Sequence, residues 1–199
     1  MSGPRHEPLA HLGLLAGADI KGDAAAVALR ALPYCPSLIL RGESDDVAFL
    51  AGCRAGLGFE LPLAPNHVGG GDDLSALWLG PSEWLILDRN GRGRLAENLD
   101  GRRHALVPNG DGLQIIALSG PRARDVLAKL CPLDLDSPAL GPGRCARSVL
   151  AGITMTLWPG TDGGYRIIVG RSFADYAWRI LADAGLEFDI AVGAADEKP

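Results

Sequence analysis

The sequence is poor in aromatic residues, in cysteine and in positive charge, and each shortage closes off a class of function. Lysine and arginine number 19 against 24 aspartates and glutamates, a formal net charge of −5. A nucleic-acid surface needs clustered cations, so nucleic acid is not an expected partner. The four cysteines, Cys35, Cys53, Cys131 and Cys145, include no C-x-x-C pair, and neither a structural metal site nor a dithiol redox motif is indicated. The chain is too long to need a disulfide framework, so reduced, mostly buried thiols are expected. Residues 12–15 are far too short an apolar stretch to span a bilayer. Residues 1–8, with Arg5, His6 and Glu7, do not read as a secretory signal. A soluble, cytoplasmic protein without a membrane partner is the expectation.

The residues of catalysis are equally sparse. The histidines are His6, His11, His67 and His104, and none stands at a motif distance from a cysteine that would make a thiolate–imidazole pair. His67 precedes Asp72 and Asp73, but the loop lacks a His-x-His spacing and is read as a solvated acidic loop rather than a metal site. The glycines at 69–71 are not followed by Lys-Ser or Lys-Thr, which excludes a P-loop. No G-x-G-x-x-G follows the first strand, so no dinucleotide site is supported. No catalytic, cofactor-binding or metal-binding residue is therefore assigned to this chain.

What is present is a folding sequence with an internal repeat. Hydrophobic residues make up 47% and charged residues 22%, enough to bury a core. Residues 37–42 read as a strand ending at a glycine, after which Ser44 or Asp45 can cap a helix carrying Val47, Leu50 and Leu57, with Gly58 near its end. Residues 76–79 and 84–87 flank Gly80-Pro81 as a β-hairpin, and a short helix follows near 94–99. The order then returns. Residues 113–118 form a strand, Ser119 is a candidate cap with Pro121 in the first turn, and Ala123, Val126, Leu127 and Leu130 line a helical face. A second hairpin pairs 153–158 with 165–169. A last helix spans about 172–184, with Phe173, Tyr176, Ala177, Ile180 and Leu181 on its apolar face and Gly185 as its stop. Leu118 lies 78 residues after Leu40 at the matching point of the repeat. The expected fold class is α+β, with two similar β-α-β-β-α halves built on antiparallel hairpins. The expected organisation is an N-terminal arm over 1–36, one globular unit over 37–192 with lobes near 37–104 and 112–188, and a flexible tail over 193–199.

Arginine dominates the cations of the second half: Arg102, Arg103, Arg122, Arg124, Arg144, Arg147, Arg166, Arg171 and Arg179. Arginine and tryptophan are favoured at protein interfaces. Trp78 and Trp84, which flank one hairpin turn, and Arg171, at the start of the last helix, are the candidate interface residues.

Several segments together resemble one known family. Residues 76–87 (ALWLGPSEWLIL), 118–127 (LSGPRARDVL), 131–135 (CPLDL), 143–147 (GRCAR) and 171–176 (RSFADY), with 8–12 (PLAHL) near the start, are similar to the gamma subunit of heterotetrameric sarcosine oxidase. The second half resembles more distantly the aminomethyltransferase of glycine cleavage, through Gly120-Pro121, Ala123-Arg124 and the Gly164-Tyr165 hairpin. The resemblance implies the folate-binding, aminomethyltransferase-like fold. It implies a non-catalytic gamma chain assembled with alpha, beta and delta subunits. The assembly demethylates sarcosine to glycine, with hydrogen peroxide and formaldehyde or methylene-tetrahydrofolate as further products. FAD, FMN, NAD, tetrahydrofolate and zinc are implied in the partner subunits. A gamma-like subunit of N-methylglutamate dehydrogenase and a stand-alone folate-binding protein are the alternatives. Two acidic positions that the aminomethyltransferases carry around the glycine turn are absent here, where the sequence runs Asp162-Gly163-Gly164-Tyr165-Arg166.

Overall fold

A computed structural model describes residues 8–13, 25–91 and 93–194. Within them the chain forms two compact units. The five-stranded unit takes Cys35–Asp111 together with Gly143–Ala146. The six-stranded unit takes the N-terminal residues up to Tyr34, Gly112–Pro142 and Arg147 onward.

In the five-stranded unit, β2 (Ser37–Gly42) leads into α1 (Val47–Leu57), after which come β3 (Val68–Gly70), β4 (Leu74–Gly80), β5 (Glu83–Asp88), the short α2 (Leu95–Asn98) and β6 (His104–Pro108). β1 (Val27–Ala31) precedes them in the chain but belongs to the other sheet. The helix α1 starts two residues later than Ser44, and one later than Asp45, would place it. Asp46 is the cap, accepting from Ala48 N at 2.8 Å and Phe49 N at 3.1 Å, an arrangement generally worth about 1 kcal/mol. Gly58 ends the helix in the left-handed conformation at φ 82°. The sheet order is β3-β4-β5-β2-β6. Leu40, Ala76, Trp84 and Ile86 meet Phe49, Cys53 and Leu57 of α1 and Leu95 and Leu99 at α2 to make its core. β5 buries four residues in a row, from Trp84 to Leu87, so both faces of this strand are out of water.

The six-stranded unit repeats the plan: β7 (Leu113–Ser119), α3 (Ala123–Leu130), β8 (Ala146–Leu150), β9 (Ile153–Pro159), β10 (Tyr165–Gly170), α4 (Ala174–Gly185) and β11 (Ile190–Ala194). Its sheet order is β11-β1-β7-β10-β9-β8. Read from the other edge, β8-β9-β10-β7-β1 matches β3-β4-β5-β2-β6. The strand β1 therefore fills beside β7 the place that β6 fills beside β2, and both of these pairings are antiparallel. Val27, Leu29, Ile116, Leu118, Leu157, Ile167 and Val169 pack with Ala123, Val126 and Leu127 of α3 and Ala177, Trp178 and Leu181 of α4.

The N-terminal arm and the tail need correction where they are described. Val27–Ala31 is an internal strand, paired with β7 on one side and in parallel with β11 on the other. Leu9 is buried in the six-stranded unit's core. Gly193 and Ala194 are in β11, while residues 195–199, like 1–7 and 14–24 of the arm, lie outside the described residues. The helix ends also differ from the sequence signals. Ser119 does not cap α3; Arg122 occupies the cap position and makes no side-chain cap bond. Gly185 is the last residue of α4 at φ −87° and does not terminate it by a left-handed turn. It is small because a Cβ there would come within 2.5 Å of Ile190 Cδ1. Finally, α4 buries Ala174, Ala177, Trp178, Leu181 and Gly185. That spacing of three and four residues turns Phe173 and Tyr176 outward.

Candidate functional site

The three candidate interface residues fall in different places. Trp84 is fully buried, and its indole N–H donates to Pro62 O at 2.7 Å. A side chain with no accessible surface cannot anchor a partner, so Trp84 belongs to the core. Trp78 stands directly opposite Trp84 across the hairpin. It packs on the same cluster but keeps part of its surface in water. Arg171 is half-buried in the short turn before α4, and its backbone N–H donates to Gly112 O at 2.9 Å.

A surface not foreseen in the sequence lies beside Arg171. Phe173 and Tyr176, each close to half exposed, are three residues apart. The Tyr176 hydroxyl donates to Ala151 O at 2.8 Å, which sets the ring against the turn between β8 and β9. Val149, also exposed, projects from β8, an edge strand. Behind the aromatics, Asp175 accepts from Arg179 Nε at 2.8 Å and pairs with His11 Nε2 at 2.7 Å. The hydrogen bond from Arg179, then that with His11, holds the Asp175 carboxyl below its ordinary range. The sequence signal for this patch was the phase of α4. The buried stripe through Ala174, Ala177, Trp178 and Leu181 leaves positions 173 and 176 outside.

The cysteines offer no nucleophile. All four are free and buried. Burial pushes the Cys53 and Cys145 thiols up to about 12 and raises Cys35 and Cys131 as well, which leaves negligible thiolate at neutral pH. Cys145 sits in a strap that returns to the five-stranded unit: Val68 N donates to Gly143 O at 2.9 Å and Cys145 N to Asn66 O at 2.8 Å. Its thiol lies 3.5 Å from Trp78 O. The His67 ring contacts Arg144 Nη1 through Nδ1 at 3.1 Å, and of His67 the Cys145 thiol meets only the backbone oxygen, at 4.0 Å. Among the described residues no group of three or more His, Cys, Asp or Glu is placed to hold a metal ion.

The β9–β10 turn is where the aminomethyltransferase resemblance would put folate chemistry. Here Asp162 is already committed. Its carboxylate accepts from Arg166 Nη1 at 3.0 Å and Nη2 at 3.3 Å, and from Gly164 N at 3.1 Å. The Arg166 hydrogen bonds, opposed by partial burial and aided by the Gly164 amide, lower its pKa. With its one carboxylate neutralised by a guanidinium, the turn does not fit a group that must accept protons from a pterin. A depressed carboxylate pKa adds stability above its unfolded value, lost as pH falls through the folded value. Asp162→Asn should therefore remove part of the loss of stability below about pH 4 and leave neutral-pH stability within about 1 kcal/mol, since the pair is screened by solvent. Urea unfolding at stepped pH measures this; an unchanged acid limb would show that the pair contributes nothing.

Comparisons with known proteins bear on the whole arrangement. The model of the family described as sarcosine oxidase, gamma subunit, matches residues 41–187. The chain is 31% identical over 193 residues to the sarcosine oxidase subunit gamma of Corynebacterium sp. (strain U-96), covering 94% of this chain and 93% of that one. Among solved structures it superposes on a chain of the heterotetrameric sarcosine oxidase from Corynebacterium sp. U-96 with a TM-score of 0.80 and 29% identity, covering 94% and 97% of the two chains. The glycine cleavage system aminomethyltransferase T from Bartonella henselae gives a TM-score of 0.63 at 17% identity, over 94% of this chain and 58% of that one. That likeness establishes the fold: α+β, two similar halves, aminomethyltransferase-like.

Proposed function

Because the chain belongs to the sarcosine oxidase, gamma subunit family, we propose that it is a non-catalytic gamma subunit of a heterotetrameric, cytoplasmic sarcosine oxidase. Its partners would be alpha, beta and delta subunits, which would carry the flavins, NAD, tetrahydrofolate and zinc. The assembly would oxidise sarcosine to glycine, releasing hydrogen peroxide and passing on the methyl carbon as formaldehyde or methylene-tetrahydrofolate. The observation that carries this reading is the end-to-end match to a chain of an assembled oxidase, at 94% and 97% coverage. The high thiol pKa values and the neutralised Asp162 agree with a chain that supplies surface rather than chemistry.

Trp78 and Arg171 are the proposed contact residues, joined by the neighbouring Phe173 and Tyr176. Exposed aromatics around an arginine are the composition that concentrates binding energy at interfaces. The test has two parts. The purified chain should show no flavin absorbance and no sarcosine-dependent peroxide, and it should co-elute with the large subunits when expressed with them. Arg171→Ala and Phe173→Ala should each weaken that complex by about 30-fold if they are central to it. Turnover by the chain alone would defeat the proposal, and oxidation of N-methylglutamate but not sarcosine by the assembly would move the chain to that enzyme.

A further inference from the structure

The duplication leaves one place filled in one sheet and open in the other. Leu29 on β1 stands opposite Leu118, and Leu106 on β6 opposite Leu40, so the repeat puts Leu106 where Leu29 is. On its far side β1 is joined in parallel by β11, with Val192 beside Leu29. β6 is the last strand of its sheet and has no such neighbour among the described residues. Leu29 is fully buried; Leu106 is only half-buried.

The backbone of β6 is presented at that edge. Asn109 N donates to Ser37 O at 2.9 Å. Alternation then makes Val107 and Ala105 bond to β2 and turns the backbone groups of His104, Leu106 and Pro108 outward. In the same way, the bond from Leu32 N to Ile115 O at 3.0 Å turns Leu29 toward β11. The open edge offers the N–H and C=O of His104 and Leu106 and the C=O of Pro108. Among the described residues none of these is bonded to another backbone group. Ala105, Val107 and Pro108 are exposed, Val107 at 49%, so the edge stands in solvent. Edge strands are commonly guarded by charge or a bulge. β6 carries no Lys, Arg, Asp or Glu and pairs with β2 in unbroken register, and Pro108 guards only its end. Arg102 and Arg103, both exposed, lead into it, with Asp100 as their one acidic neighbour in sequence.

We infer that this edge receives an extended apolar segment of a partner protein, which adds to the sheet parallel to β6 with an acidic residue at its leading end. Main-chain bonds supply the attachment and alternate side chains the selectivity. The six-stranded unit displays the form of such a segment, since Glu187 and Asp189 lead into Ile190–Ala194. Beside Arg102 and Arg103, an acidic lead is complementary in charge. A second copy fits less well. β6 paired antiparallel to β6 about Leu106 would set His104 against Pro108, which has no N–H, so a bond is lost at each end. The inference rests on the duplication and does not depend on the family assignment.

The probe is an end-blocked peptide copying residues 187–194, titrated into the full chain and followed by fluorescence anisotropy and amide hydrogen exchange. Saturable binding is expected. Exchange at His104 and Leu106 should slow at least tenfold, while Ala105 and Val107, already bonded to β2, change little. N-methylation of the peptide at the positions of Ala191 and Gly193, whose N–H groups face β1 within β11, should abolish binding, and at Ile190 and Val192 it should be tolerated. Arg103→Glu should weaken binding at least threefold at low salt and leave the unfolding midpoint unchanged. Failure to saturate at millimolar peptide, equal effects of the two methylation patterns, or binding that leaves His104 and Leu106 unprotected would overturn the inference. So would slow exchange at those two amides in the free monomer, or protection that follows self-association of the chain instead of peptide.

Discussion

Trp84→Ala should destabilise the five-stranded unit by about 3–5 kcal/mol, the usual cost of deleting a fully buried large aromatic. The indole has no accessible surface, its ring centre lies 6.1 Å from that of Phe49, and its N–H is satisfied by Pro62 O at 2.7 Å. Truncation opens a cavity between β5 and α1 and leaves the partly buried Pro62 carbonyl without its indole donor. Trp84→Phe should recover part of the loss by filling the ring space, while still lacking the N–H donor. Urea unfolding followed by far-ultraviolet circular dichroism measures both. The same variants separate a core role from an interface role. A core residue lowers the unfolding midpoint of the isolated chain. An interface residue leaves that midpoint alone and loosens the complex, and this outcome for Trp84 would contradict its burial.

Gly120→Ala should cost about 2–5 kcal/mol, from two separable causes. Gly120 has φ 101°, where an L residue pays on the order of 1–2 kcal/mol. An added Cβ would also lie 2.6 Å from the Ala26 carbonyl oxygen and 3.1 Å from Val27 Cα. Both atoms are backbone, so relief requires β1 to move, and forced shifts of packed elements typically add about 1–3 kcal/mol. Moving β1 would also strain the bond from Arg122 N to Ala26 O, 3.0 Å long. Gly58→Ala is the control: φ is 82°, but nothing lies within 4 Å of the new Cβ, so only the backbone strain should appear. Equal costs for the two glycines, measured by the same unfolding experiment, would show that β1 does not press on Gly120.

Some features were legible because their causes are local. The two hairpins announce themselves through Gly80-Pro81 and residues 159–164, and the ends of α1 through an acidic cap and Gly58. The return of the same order after 78 residues marked the duplication. Other features have causes distant in the chain. β1 carries its own signal, since Val27, Leu29 and Ala31 alternate with Ala28 and Arg30. Its partner, however, is Ala117 and its neighbours, far along the sequence, so local pattern suggests an arm. Trp84 could not be placed by alternation because β5 is buried on both faces. Phe173 and Tyr176 were assigned to the wrong side of α4 because the buried stripe runs through Ala174, Ala177, Trp178 and Leu181, about one residue round from the stripe that the large side chains suggest.

The candidate surfaces were legible only in part. Arg171 was identified by residue type and position, but its aromatic neighbours emerge only from the phase of α4. The order of residues across the six-stranded sheet is invisible in the sequence, because Arg30, Ala117, Arg166 and Trp158 are brought into line by strand register alone. Strap residues 143–146 were recognised as a motif without any sign that they join the first half of the chain.

Residue order alone determined the element types, the repeat and the family, because hydrophobic period, turn chemistry and motif identity are written in short stretches. Only the tertiary structure decided which strand completes each sheet and which tryptophan is core. Those depend on pairings between residues many tens of positions apart, where side chains acquire neighbours that no local pattern names.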